Sequence, residues 1–169
     1  MDEQELSVEF TEWAAGAERQ LLRSAYLLTD DLHRAQDLVQ EALVKVALRW
    51  ARLRTGNPTA YARRIVVHDN ISWWRRRRLE VVAADPGAGE GPAVSGDPEA
   101  TLVVRRALAR LTASQRAVVV LRHFDDLSER ETAEALGVSV GTVKSQNSAA
   151  LARLREGAPE LLDLVGRTR

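Results

Sequence analysis

Six arginines and a pair of adjacent tryptophans crowd into YARRIVVHDNISWWRRRR, residues 61–78. Arg63, Arg64, Arg75, Arg76, Arg77 and Arg78 are accompanied there by a single acid, Asp69. Guanidinium groups at this density neutralise a phosphate backbone, and each contact adds salt dependence to binding. Trp73 and Trp74 offer flat faces on which unpaired bases stack, at about 1–3 kcal/mol per base. His68, Asp69 and Asn70 carry hydrogen-bonding groups suited to the edge of an extruded base. A plainer reading puts one indole in a core and leaves only its neighbour, about 100° away around a helix, at the surface. The arginine run alone also fits a solvated helix end.

A second polar cluster lies in GTVKSQNSAALARLR, residues 141–155. Thr142, Lys144, Ser145, Asn147 and Ser148 occupy a segment with helical spacing where a buried helix would carry leucines. Short hydroxyls and amides bond base edges or phosphates in a major groove, and a lysine neutralises a phosphate. Ser139, at the start of the segment, caps the helix and favours a phosphate there. A third set, Asp37, Gln40 and Glu41, falls at spacing i, i+3, i+4 and so shares one helix face, opposite the apolar Leu38, Val39 and Ala42.

Catalysis has little to work with. His33, His68 and His123 are scattered without metal-ligand spacing. No G-x-S-x-G motif is present, and the chain has no cysteine for a nucleophile, disulfide or thiolate metal site. Neither a catalytic residue nor a metal or cofactor is expected, and the protein is read as not an enzyme. The glycines of ADPGAGEGPAVSGDPEA, residues 84–100, follow no strand and precede no Gly-Lys-Ser/Thr, which argues against a phosphate-binding loop.

These clusters need elements to hold them. The 169 residues suffice for one domain or two small ones. Three prolines and four glycines in residues 84–100 cannot bury enough surface to offset their ordering entropy. The expectation is an all-α protein of two small helical domains, residues 1–80 and 101–169, joined by a flexible linker over 81–100. In the first domain, Leu21, Leu22, Ala25, Tyr26 and Leu28 follow helical spacing. TDD at 29–31 caps a second helix, whose stripe of Leu38, Val39, Ala42, Leu43, Val46 and Ala47 reaches Trp50. Pro58 opens a third helix, which runs through Tyr61, Ala62, Ile65 and Val66 to the arginines. In the second domain, Thr112 with Gln115 and Ser128 with Glu131 form capping boxes. Gly137 sits where a left-handed stop is expected. Two helices joined at such a glycine make a helix-turn-helix, with Ala133 small enough for close approach and Leu136, Val138 and Val143 packing between them.

The net charge is zero, 24 basic against 24 acidic residues, so basic character is local rather than global. Residues 80–100 hold five acids and no base. MDEQELSVEF lacks an apolar core, so no signal peptide is expected, and no apolar run approaches the roughly 18 residues of a membrane span. A cytoplasmic location follows as the expectation.

DLHRAQDLVQEALVKV (31–46) resembles the region-2 helix of bacterial RNA polymerase sigma factors. YARRIVVHDNISWWRRRR resembles the helix of that family that meets the promoter −10 element, and residues 111–145 resemble region 4, which meets the −35 element. The order matches, and there is no room for an acidic N-terminal region or a middle domain. The chain is therefore similar to the small extracytoplasmic-function (ECF) type, with SWWRRR and GTVKSQ pointing to the SigE-like group of actinobacteria. The resemblance implies that Asp37, Gln40 and Glu41 dock on the clamp helices of the polymerase largest subunit. It also implies that the second domain works near the flap, that the first captures the −10 element without ATP, and that an anti-sigma factor is a possible partner. Three positions depart from the family pattern. Leu43 stands where an aromatic is frequent, and Gln146 and Ala149 stand where arginines are common on the recognition helix. An ordinary helix-turn-helix regulator, or a decoy that binds only an anti-sigma factor, are the competing readings. Neither needs both the α-helical acid face and the Trp–Arg cluster.

Overall fold

The structure, a computed structural model, describes residues 2–77 and 98–159. In chain order the helices are α1 (Glu3–Thr29), α2 (Leu32–Ala47), α3 (Trp50–Leu53), α4 (Pro58–Arg77), α5 (Pro98–Leu108), α6 (Ala113–Val119), α7 (Glu129–Leu136) and α8 (Val140–Gly157). A π-helical turn, Val120–Phe124, extends α6. No strand occurs among the described residues. The expected linker falls almost wholly outside them. Residues 98–100 of that span are helical, the first turn of α5.

Local chemistry accounts for the ends of these helices. Asp2 and Glu5 close a capping box at the start of α1. Asp30 ends α1 in the left-handed region, φ 58°, a conformation short polar side chains tolerate, and Asp31 then caps α2 through the Arg34 amide. Asn57 Oδ1 accepts from the Ala60 amide ahead of Pro58, which needs no donor partner at the first turn of α4. Both expected boxes form, Thr112 with Gln115 and Ser128 with Glu131. Gly137 stops α7 at φ 67°, and Ser139 caps α8.

α1, α2 and α4 pack as a three-helix layer around Leu21, Tyr26, Leu28, Leu38, Val46 and Val66. Ala47 does not extend the stripe; it is exposed beside the turn that leads to α3. The N-terminal half of α1 is fastened by an aromatic cluster, with Phe10 and Trp13 at 5.4 and 5.3 Å from Trp50 and the Trp13 indole N–H donating to Thr59. The second unit packs α6 and α7 on α8 through Val118, Ala133 and Val143. Leu136 joins that cluster from its edge, but Val138 is exposed, at 41%: the left-handed backbone at Gly137 carries the next side chain out of the helix–helix seam.

The two units are not separate bodies. One apolar core runs from α1, α2 and α4 into Leu108, Leu111, Val119, Leu121 and Leu154. α1 lies against the π turn, and α4 lies against α6 and α7.

Candidate nucleic-acid interface

Three surfaces hold the residues singled out by type and spacing. On α2, Asp37, Gln40 and Glu41 are exposed, while Leu38, Val39 and Ala42 of the opposite face are buried. Val44 and Leu48 follow at the next two steps of the same face, and both are open to solvent, at 55% and 79% exposure. The polar triplet therefore has an apolar flank, which the expected inward stripe of α2 did not anticipate. Leu43 packs partly against the core.

On α4, Arg64, Arg75 and Arg76 are exposed. Trp73 and Trp74 are both half-buried and meet edge to face at 5.1 Å. The reading with one indole in a core and the other at the surface does not hold, since both rings are half-buried. Trp73 lies beneath the Arg77 guanidinium at 4.7 Å and that of Arg34 at 5.4 Å, cation–π contacts that hold the ring in place. Arg78 lies outside the described residues. The rest of the expected set is paired or at least half-buried. Asp69 pairs with Lys45 at 2.8 Å. His68 is half-buried beside Gly137, where a Cβ would come within 3.5 Å of its ring. Asn70 is 1% exposed and offers no edge to a base in this arrangement. Arg63 is buried, its Nε 3.2 Å from Asp125. In both cases the reason is position: Arg63, Val66, Val67 and Asn70 form the inward stripe of α4.

On α8, Thr142, Lys144, Ser145 and Ser148 are exposed. Ser139 Oγ accepts from the Thr142 amide at 3.1 Å and sits 2.9 Å from its hydroxyl. Ser145 Oγ donates to the Thr142 carbonyl. Lys144 reaches Glu129 at 3.5 Å, an exposed pair that holds it weakly. Asn147 does not project outwards as expected. It shares a stripe with the buried Val143 and Ala150, and its Oδ1 lies 3.0 Å from His123 Nε2.

Other polar groups were missed because their partners are distant in sequence. Asp125 Oδ1 accepts from Ser24 Oγ at 2.6 Å and Oδ2 from Arg63. Burial pushes the Asp125 carboxyl above the ordinary carboxylate range, against the downward pull of Ser24, Arg63 and Arg23. Arg116, also buried, donates to the Leu28 and Leu108 carbonyls; desolvation lowers its pKa, and Asp30 opposes that. By contrast, the Glu131 carboxyl is lowered by its capping bonds to Ser128. No group of three or more metal-ligating side chains occurs among the described residues, and no described helix is long and apolar enough to cross a membrane.

Comparison with known proteins gives these surfaces a context. Residues 16–80 match the family model described as Sigma-70 region 2, and residues 101–154 match Sigma-70, region 4. The RNA polymerase sigma-E factor of Streptomyces avermitilis is 42% identical over 152 residues, covering 88% of this chain and 84% of that one. The ECF RNA polymerase sigma factor SigM of Mycobacterium tuberculosis is 33% identical, covering 80% of this chain and 70% of its own length. Among solved structures, the sigma factor RpoE in complex with the anti-sigma factor NepR, from Bartonella quintana, superposes with TM-score 0.64 at 28% identity. It covers 90% of this chain and 93% of that one. CnrH, solved with the cytosolic domain of CnrY, has TM-score 0.60 at 24% identity, covering 92% and 88%, and shares the fold.

Proposed function

The chain belongs to the sigma-70 family, as an ECF-type RNA polymerase sigma factor of the actinobacterial SigE-like group, and from that premise we propose how its surfaces divide the work of initiation. It directs transcription initiation, binding core polymerase and promoter DNA. Residues 1–80 form the unit that grips polymerase and the −10 element. Residues 101–169 form the unit that reads the −35 element, and the segment between them spans the two.

Asp37, Gln40 and Glu41 dock on the largest subunit. Carboxylates and an amide at the rim give orientation and on-rate, and the neighbouring Val44 and Leu48 supply apolar area to be covered. On α4, Arg64 and Arg75 to Arg78 hold the −10 phosphates. The exposed parts of Trp73 and Trp74 stack on bases that have left the duplex, which stabilises the open strand without ATP. Trp73 is already ordered by two guanidinium groups, so less entropy is lost when a base arrives. On α8, the exposed Thr142, Lys144, Ser145 and Ser148 enter the −35 major groove, with Ser139 and the helix N-terminus at a phosphate. Gln146 and Ala149 leave fewer cationic contacts there. A role at chromosomal promoters implies a cytoplasmic location, and it needs no chemistry of the protein's own. An anti-sigma factor is the partner class proposed to control its availability; RpoE of Bartonella quintana, similar in fold, is held by one.

One observation carries this reading: adjacent helices present unlike surfaces, an exposed acid–amide face on α2 and an exposed arginine–tryptophan surface at the end of α4. A lone regulator needs only α8, and a decoy needs no basic face. Titrating core polymerase with protein bearing Asp37→Ala, Gln40→Ala and Glu41→Ala tests it. Affinity should fall while helical content is kept; unchanged affinity removes the docking assignment.

A further inference from the structure

Asn147 is an odd residue for its place on α8. Its stripe runs from Val143 to Ala150, both wholly buried, and a small apolar side chain would continue that packing against α6. The amide is instead half-buried and answered by His123, whose Nε2 lies 3.0 Å from Asn147 Oδ1. A carbonyl oxygen can only accept, so the imidazole nitrogen is the donor. His123 sits in the π turn, whose wider winding changes the bearing of the side chains it carries. The Nδ2 end of the amide meets no acceptor among the described residues and is not enclosed. Lys144, three residues earlier and so a neighbour on the helix surface, and Ser148, the next residue, are both exposed.

We propose that His123 is a positioning residue for −35 recognition: by holding Oδ1 inward it presents Asn147 to the DNA as a donor alone, which selects guanine over adenine at one base pair. The inference rests on assigning α8 to the −35 major groove. An asparagine free to turn offers both an acceptor and a donor, and pairs bidentately with adenine N6 and N7. With the oxygen turned inward, that pairing loses its acceptor. Adenine then sets its N6 amino group against the Nδ2 amino group, donor against donor. Guanine sets two acceptors, O6 and N7, in the same place, and the two Nδ2 hydrogens meet them. Without the imidazole the amide commits to neither base. Gln146 and Ala149 bring no charge to this helix, so the orientation of one amide carries a larger share of the base preference.

Holoenzyme reconstituted from core polymerase and the full-length protein, bound to promoter duplexes with a randomised −35 element, tests this. Sequencing the bound fraction gives the base preference at each pair. His123→Leu should shift the guanine-to-adenine ratio toward adenine by about fivefold or more at one base pair, with preferences elsewhere unchanged. His123→Ala removes the same donor with less bulk, and is read if His123→Leu loses its helical circular dichroism. His123→Gln, whose amide N–H can donate to the same oxygen, should keep the native ratio. Asn147→Leu should abolish the preference at that pair, and adding His123→Leu to it should change nothing further. A loss of helix packing alone would weaken all positions together, and glutamine would not rescue it. A guanine preference that survives His123→Leu at every pair, or a loss spread evenly over the element, overturns the inference and leaves α8 at the −35 element. A native holoenzyme with no −35 preference removes the α8 assignment and the inference with it.

Discussion

Trp73 and Trp74 stand side by side in the chain, yet the structure gives them different surroundings. Trp73 is fixed by Arg34 and Arg77, while the ring contact of Trp74 among the described residues is with Trp73, edge to face. Trp74→Ala should therefore weaken binding of single-stranded −10 DNA by the stacking increment, about 1–3 kcal/mol, with little loss of stability. Trp73→Ala should lose affinity and thermal stability together. Fluorescence anisotropy and a melting curve on each variant distinguish the two; equal stability losses would contradict the asymmetry. The exposed positions were legible in the sequence wherever the helix phase settled them. Asp37, Gln40 and Glu41 lie opposite Leu38, Val39 and Ala42, and the structure keeps that division. Arg63, Asn70 and Asn147 were not legible as inward residues. Polar type outweighed phase in the reading, and the partners that draw them in, such as Asp125 for Arg63 and His123 for Asn147, lie 62 and 24 residues away.

At the scale of elements, the caps were the most legible feature, because a capping box is complete within four residues. Thr112→Ala and Ser128→Ala should each lower stability by about 1 kcal/mol, read as a shift in urea midpoint at constant slope. Gly137 takes the positive φ of the turn without strain. Any residue with a Cβ must adopt φ 67° there, and Gly137→Ala should cost about 1–2 kcal/mol; the nearest atom to such a Cβ, in His68, is at ordinary contact distance, so strain rather than collision sets the loss. A midpoint unmoved by Gly137→Ala would contradict the left-handed stop. The π turn at Val120–Phe124 was not legible, since the run VVVLRHF satisfies an α-helical stripe equally well. Only tertiary packing of α1 against it shows where the extra residue is accommodated.

At the scale of the molecule, the continuous core between the two units could not be read from the sequence. A Pro/Gly-rich segment says that two units are tethered and nothing of whether they touch. Asp125 should make their union sensitive to pH. Its pKa is raised in the folded protein by burial, with Arg63, Arg23 and Ser24 the groups that face it and oppose the shift. A raised folded-state value means that the contribution to stability is fully present below the unfolded-state value, about 4, and is lost as pH rises through the folded-state value. The contribution of Asp125 to folding stability, read as a denaturant midpoint, should thus decline as pH rises above the unfolded-state value. Asp125→Asn, with no proton to exchange, should flatten that decline. The central claim remains that this chain confers promoter-specific initiation on polymerase through α2, α4 and α8, and transcription reconstituted from purified core enzyme, this protein and genomic promoter fragments tests it most directly. Discrete transcripts starting downstream of a common pair of −10 and −35 elements, lost when Asp37, Gln40 and Glu41 are replaced by alanine, are predicted; initiation no more specific than core polymerase alone would contradict the account.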